Sequence, residues 1–193
     1  EEEPVNLQEL RRLNAVYPSP DGSYAVAKFN YPESPLFSIF NTAGFNWQPL
    51  PQGTIAAAWA PSGGRIAYLD QSALKILDLN TKKTSEVIRL NQKDAELFWQ
   101  NDSRILLTVK SDFLTSIYAI DINKKTIAPF MEETGMRINW LVRGSYGLKL
   151  NSADNRQTAS LISSDGALLS QLSFVTMPEK CAADASAKII YCA

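Results

Sequence analysis

Short apolar runs broken by polar turns recur along the chain, and within each run the period is that of strands. Arg104-Ile-Leu-Leu-Thr-Val and Leu114-Thr-Ser-Ile-Tyr-Ala-Ile are short, rich in β-branched residues and bounded by turn formers. No stretch after residue 15 carries a convincing helical stripe. Trp59, Trp99 and Trp140 stand 40 and 41 residues apart, each after an apolar stretch and before a polar turn, in TIAAAWAPSGGRIAYL, AELFWQNDSRILLTV and RINWLVRGSYGLKL. An earlier copy reads LNAVYPSPDGSYAVAKF, and a last one begins as KCAADASAKIIYCA, with Ala183 in place of the aromatic. The residues expected to open the strand after each turn are Tyr24, Arg65, Arg104, Tyr146 and Lys188. They are spaced 41, 39, 42 and 42 residues apart. A period of this length marks a repeat architecture.

Polar hairpins follow inside each repeat, as ILDLNTKKTSEV, AIDINKKTIAP and LISSDGALLSQL. Asp, Asn and Gly suit such turns because they tolerate positive φ or bond their own backbone. Each repeat therefore reads as four antiparallel strands in about forty residues, which is a propeller blade. The expected units are 10–50, 52–90, 93–130 and 135–174, with half a blade at 178–193. Residues 1–9 form an acidic tail before them.

These residues carry a resemblance. The pattern W-x-P-[SD]-G-x-[RK]-[IL]-x-[YV] resembles the TolB-like and WD-repeat-like β-propeller superfamily, whose "WSPDG" marks the turn between the first two strands of a blade. It stands here as Ser19-Pro20-Asp21-Gly22-Ser23-Tyr24 and Trp59-Ala60-Pro61-Ser62-Gly63-Gly64. It is degraded at Trp99-Gln100-Asn101-Asp102-Ser103 and at Trp140-Leu141-Val142-Arg143-Gly144-Ser145. The resemblance implies an all-β propeller, whole or partial, and no particular activity. Four and a half blades leave three arrangements open: a portion of a longer propeller, a ring closed by another copy, or a small ring whose last strands complete the first blade.

Composition narrows the function. In 193 residues, 45% are hydrophobic and 20% charged, enough apolar material for a core. Nineteen Lys and Arg against twenty Asp and Glu give a net charge of −1, which argues against an electrostatic nucleic-acid binder. No apolar run has the length of a membrane span. The chain has no histidine, which removes Ser-His-Asp and Cys-His catalysis and imidazole metal sites. Phosphate-binding, serine-elbow, dinucleotide and calcium-loop motifs are missing, so no cofactor and no catalytic residue is expected.

Cys181 and Cys192 flank the turn of the last hairpin at matching ends. Paired strands bring such residues within disulfide reach, and the alternative is two buried thiols packed between blades. The frame Pro-Glu-Lys-Cys…Tyr-Cys also resembles exported bacterial propellers of the TolB-like type, and a disulfide implies an extracytoplasmic domain. Trp59, Trp99 and Trp140 are read as structural blade aromatics. Trp47, off the repeat, is the candidate surface contact. Glu132, Glu133, Asp154 and Asp165 are expected in loops as solvated charges. The expectation is a non-catalytic scaffold binding a protein or envelope partner through loops 30–35, 90–94, 130–136 and 174–180. The rival is an accessory propeller of a larger peptidase or other hydrolase. The apolar run Ile189-Ile190-Tyr191 would leave an open blade edge able to self-associate unless it is paired or covered.

Overall fold

Tyr24, Arg65, Arg104 and Tyr146 each open the second strand of a four-stranded sheet in the computed structural model, which describes residues 12–30, 35–141, 144–153, 156–184 and 189–192. The first sheet is β1 (Leu13–Pro18), β2 (Tyr24–Phe29), β3 (Leu36–Asn41) and β4 (Asn46–Pro49). The second is β5 (Ala56–Trp59), β6 (Arg65–Leu69), β7 (Ala73–Asp78) and β8 (Thr84–Arg89). The third is β9 (Glu96–Asn101), β10 (Arg104–Ser111), β11 (Leu114–Asp121) and β12 (Thr126–Thr134). The fourth is β13 (Met136–Leu141), β14 (Tyr146–Ala153), β15 (Arg156–Ser163) and β16 (Leu168–Gln171). Each is an antiparallel meander in chain order, the form of a propeller blade. A fifth, two-stranded sheet joins β17 (Cys181–Ala183) to β18 (Ile190–Cys192), after a single 3-10 turn at Pro178–Lys180. The acidic tail, Lys188 and Asp154 lie outside the described residues.

Turn chemistry explains the repeat. Asn41 Oδ1 accepts from the N–H of Ala43 and Gly44 at 2.9 and 3.0 Å, and Phe45 then takes φ 47°. Asp78 Oδ1 does the same for Asn80 and Thr81 at 3.0 and 2.7 Å, before Lys82 at φ 58°. Asp121 Oδ1 serves Asn123 and Lys124 at 3.0 and 2.9 Å, before Lys125 at φ 57°. In three blades, therefore, an Asp or Asn caps the turn between the third and fourth strands and a left-handed residue follows four positions on. The side-chain oxygen offsets part of the cost of that conformation by satisfying two backbone donors. In the fourth blade Ser163 Oγ accepts from Ala167 N at 3.0 Å and Gly166 supplies the positive φ.

The chain divides into two compact units, Glu1–Lys93 and Asp94–Ala193. In the first, Val26, Phe37 and Ile39 of one blade pack on Trp59, Ile66 and Tyr68 of the next. In the second, Leu106 and Ile117 pack on Met136, with Phe98, Ile138 and Trp140 against them. A further cluster sets Leu141 and Leu148 against Cys181, Leu172 and Ile190, so the small sheet is docked on the fourth blade.

Side-chain donors also tie neighbouring elements together. Trp59 Nε1 donates to the carbonyl of Tyr17 at 2.8 Å. Thr115 Oγ1 donates to Met136 O at 2.9 Å, and Asn139 Nδ2 to the carbonyls of Pro178 and Cys181 at 3.0 and 3.1 Å. The third blade contains a bulge: Arg104 pairs with Asn101 but Ile105 with Trp99. The extra residue, Gln100, is buried and donates from Nε2 to Ser164 O at 2.7 Å in the fourth blade.

One expectation is corrected. Glu132 and Glu133 are not in a loop, because β12 runs on to Thr134 and only Gly135 separates it from β13. Glu132 accepts from Ser116 Oγ at 2.7 Å, while Glu133 accepts from Lys149 Nζ at 2.6 Å and Asn151 Nδ2 at 2.7 Å. The connection needs no loop because Gly135 has φ 66°, and a Cβ there would collide with the Ser152 carbonyl oxygen.

Candidate binding cleft

Antiparallel strands alternate in direction, so the connections around a blade fall at two opposite ends. In the first unit the β2–β3 and β6–β7 turns, the β4–β5 connection and the segment after β8 share one end. Together they enclose an open cleft of about 1100 Å³. Leu36, Gln52, Gln71, Asn91, Gln92 and Lys93 are among its lining residues. Of the four expected binding loops, the segment 90–94 contributes Asn91, Gln92 and Lys93, and the loop 30–35 contributes Pro35, its residues 31–34 lying outside the described ones. The stretch 130–136 is strand. Residues 174–180 belong to the second unit, where Phe174, Val175 and Met177 are exposed.

Sequence reading missed the lining from 52–55 and 70–72, which lies in connections without a motif. Its local folding is nonetheless legible afterwards. Thr54, buried, donates from Oγ1 and from its N–H to the Pro51 carbonyl at 2.7 and 3.2 Å, closing the β4–β5 turn around Gly53 at φ 83°. Asp70 organises the β6–β7 turn. Its Oδ1 accepts from Ser72 N at 2.8 Å, Ser72 Oγ at 2.7 Å and Ala73 N at 2.9 Å, and its Oδ2 pairs with Lys75 Nζ at 2.6 Å.

Partial burial of Asp70 opposes its ionisation, but the Lys75 ammonium and the Ser72 and Ala73 donors outweigh it and hold the carboxyl well below the usual carboxylate range. The same contact raises the Lys75 pKa. A carboxyl with a depressed folded pKa stabilises the fold fully above its unfolded value near ~4 and loses that contribution as pH falls through the lower folded value. Replacing Asp70 with Asn is therefore expected to lower stability at pH 7 and to flatten the acid limb of the stability curve below about pH 4. Urea unfolding at several pH values checks this; parallel curves for the two proteins would contradict it.

The remaining sequence candidates lie elsewhere. Trp59, Trp99 and Trp140 each pair with the second residue of the following strand, Ile66, Ile105 and Gly147. Trp59 and Trp99 are buried, and Trp140 is half-buried, stacked on Phe98 with ring centroids 5.9 Å apart. Trp47 packs on Phe40 at 4.8 Å and edge-on to Phe29 at 5.8 Å, beside the β3–β4 hairpin and so at the end of its blade away from the cleft. Cys181 and Cys192 face each other in register and form a disulfide, with Cα atoms 4.1 Å apart. Asp165 is bonded to Ser163 in the β15–β16 hairpin. β18 pairs with β17 alone among the described residues, and Ile189 and Tyr191 are exposed. No group of three or more metal-ligating side chains occurs among the described residues. No helix among them is long and apolar enough to cross a membrane.

No protein-family model matches the chain, and no curated protein matches it. Solved structures do. The chain is similar to TolB from Acinetobacter baumannii, with 16% identity and a TM-score of 0.60 over 93% of this chain and 46% of that one. It is similar to the β-propeller domain of Cps50 (Swd1) from Myceliophteria thermophila, with 10% identity and a TM-score of 0.61 over 93% of this chain and 61% of the other. The acylaminoacyl peptidase of Pyrococcus horikoshii matches at 15% identity and a TM-score of 0.60, over 86% of this chain and 33% of its own. The chain thus spans about half the length of the TolB it matches. Repeated four-stranded meanders, aromatics at equivalent register positions and these likenesses together give this chain a β-propeller fold, similar to that of TolB.

Proposed function

We propose that the chain is a non-catalytic propeller scaffold that binds a protein or a cell-envelope component through the loop end of its first unit. The observation that carries this reading is the cleft: separate connections of two blades gather around one concavity. Its carboxylate, Asp70, is already committed to four hydrogen bonds in its own turn. Rigid sheets presenting loops at one end are a common platform for recognition. The disulfide supports an extracytoplasmic setting, since such bonds persist in oxidising compartments.

The test places the photo-crosslinker p-benzoylphenylalanine at Gln71 or Gln92 and, as controls, at Asn80 or Thr81 in the β7–β8 hairpin at the opposite end. Irradiation in the native cells is expected to yield a discrete adduct from the first two positions only. Adducts of equal yield from both ends, or from neither, would sink the proposal.

A second reading is favoured by the likeness to the acylaminoacyl peptidase, of which the chain matches a third. In that reading the blades are the accessory propeller of a larger hydrolase. Labelling of the native full-length protein by a fluorophosphonate would decide for it, and the first reading expects none.

A further inference from the structure

The side chains that line the cleft specify the chemistry of an occupant. Gln52, Gln71, Asn91 and Gln92 come from three separate connections, and their carboxamides make no hydrogen bond to another described residue. Each presents N–H donors and a carbonyl acceptor in one plane, a set that can pair with both the C=O and the N–H of a peptide group. Asp70 offers no free charge, because Lys75 and three further donors occupy it. Lys93 is without a salt bridge among the described residues, so the unbalanced charge among the described lining residues is positive. Leu36, 47% exposed, stands beside Pro35 and Ile55 as an apolar wall. No aromatic ring among the described residues lines the cleft to stack against a sugar face. The volume of about 1100 Å³ lies just above the ~300–1,000 Å³ range of small-molecule pockets and leaves room for a short peptide segment.

From this set we infer that the cleft takes an extended peptide segment. Its backbone amides pair with the four carboxamides, its aliphatic side chains meet Leu36 and Ile55, and a carboxylate of the peptide sits at Lys93. The inference rests on the reading of the loop end as a binding surface and names the occupant's class. Amide pairs of this kind bind without the desolvation cost of burying charge, and the charge-assisted contact at Lys93 supplies direction.

The experiment uses the full chain and three arrays of random hexapeptides: free C-terminal acids, C-terminal amides containing one Glu, and C-terminal amides without acidic residues. Soluble chitotetraose and laminarin serve as glycan probes. Peptides carrying a carboxylate are expected to bind. Free acids alone identify a chain terminus as the source, and binding by the Glu-containing amides identifies an internal acidic residue. Lys93→Gln is expected to weaken the carboxylate-bearing peptides about tenfold while sparing neutral ones. The double variant Gln71→Leu with Asn91→Leu should remove binding of all classes with the unfolding midpoint unchanged. Binding that ignores both variants, binding of the glycans alone, or no binding at all would overturn the inference. Cross-links from Gln71 with silent arrays overturn the peptide assignment and leave the binding surface standing; silence in both experiments overturns both.

Discussion

Replacing Trp59 with alanine is expected to cost about 3–5 kcal/mol of stability, the range for removing a large core aromatic. The residue closes β5 and is 9% exposed, and its ring stacks with Tyr24 at 6.1 Å between two sheets. Its indole N–H donates to the Tyr17 carbonyl across the same boundary. Truncation removes packing and the hydrogen bond together, so both blades of the first unit should loosen at once. Trp59→Phe separates the two effects: it keeps most of the apolar contact and loses the donor, with an expected cost of about 1 kcal/mol. Trp140→Ala should cost less than Trp59→Ala, since Trp140 is only half-buried. Urea unfolding followed by far-UV circular dichroism measures all three. A Trp59→Ala protein within 1 kcal/mol of its parent would show that the inter-blade layer does not depend on this ring.

Breaking the Cys181–Cys192 bond is expected to cost about 3 kcal/mol on the chain-entropy model for a loop this short. The bond closes eleven residues of chain, and the sheet it staples has only two three-residue strands. Such a small sheet has little packing of its own to survive on. Cys181 is buried with Leu141 and Leu148, so the staple also sets how the small sheet meets the fourth blade. In Cys192→Ser, amide exchange should rise at 181–183 and 190–192 first and remain slow in β6 and β10, because each blade packs mainly on its neighbours. Protein isolated without reductant should show no free thiol under denaturing conditions. Two labelled cysteines would contradict the bond and remove the physical argument for an oxidising compartment.

The blades were legible because their information is local. A strand is recognised from a period of two and a turn from the chemistry of Asp, Asn and Gly, both within a few residues. Asp78 and Asp121 cap turns that the sequence already marks as hairpins. Spacing alone placed Trp59, Trp99 and Trp140 in register. The Cys181–Cys192 pairing was legible as one of two readings, since the hairpin brought the cysteines opposite each other. The acidic pair at Glu132 and Glu133 misled because charge suggests a loop. On an outer strand one face meets water, where carboxylates paired with Lys149 and Ser116 are readily accommodated.

What the chain by itself determined is therefore the repeat: the strand-opening positions Tyr24, Arg65, Arg104 and Tyr146, four meanders and the residue types that turn them. Tertiary structure alone decided how neighbouring blades are joined and where a cleft forms. Trp59 reaches a carbonyl 42 residues earlier, and Gln100 reaches one 64 residues later through a bulge. The four carboxamides of the cleft come from connections without a shared motif. Such contacts are made by backbone groups, which every residue carries, and by side chains that converge only after the sheets have packed. Local pattern cannot encode them, because the distances that matter are measured through space and not along the chain.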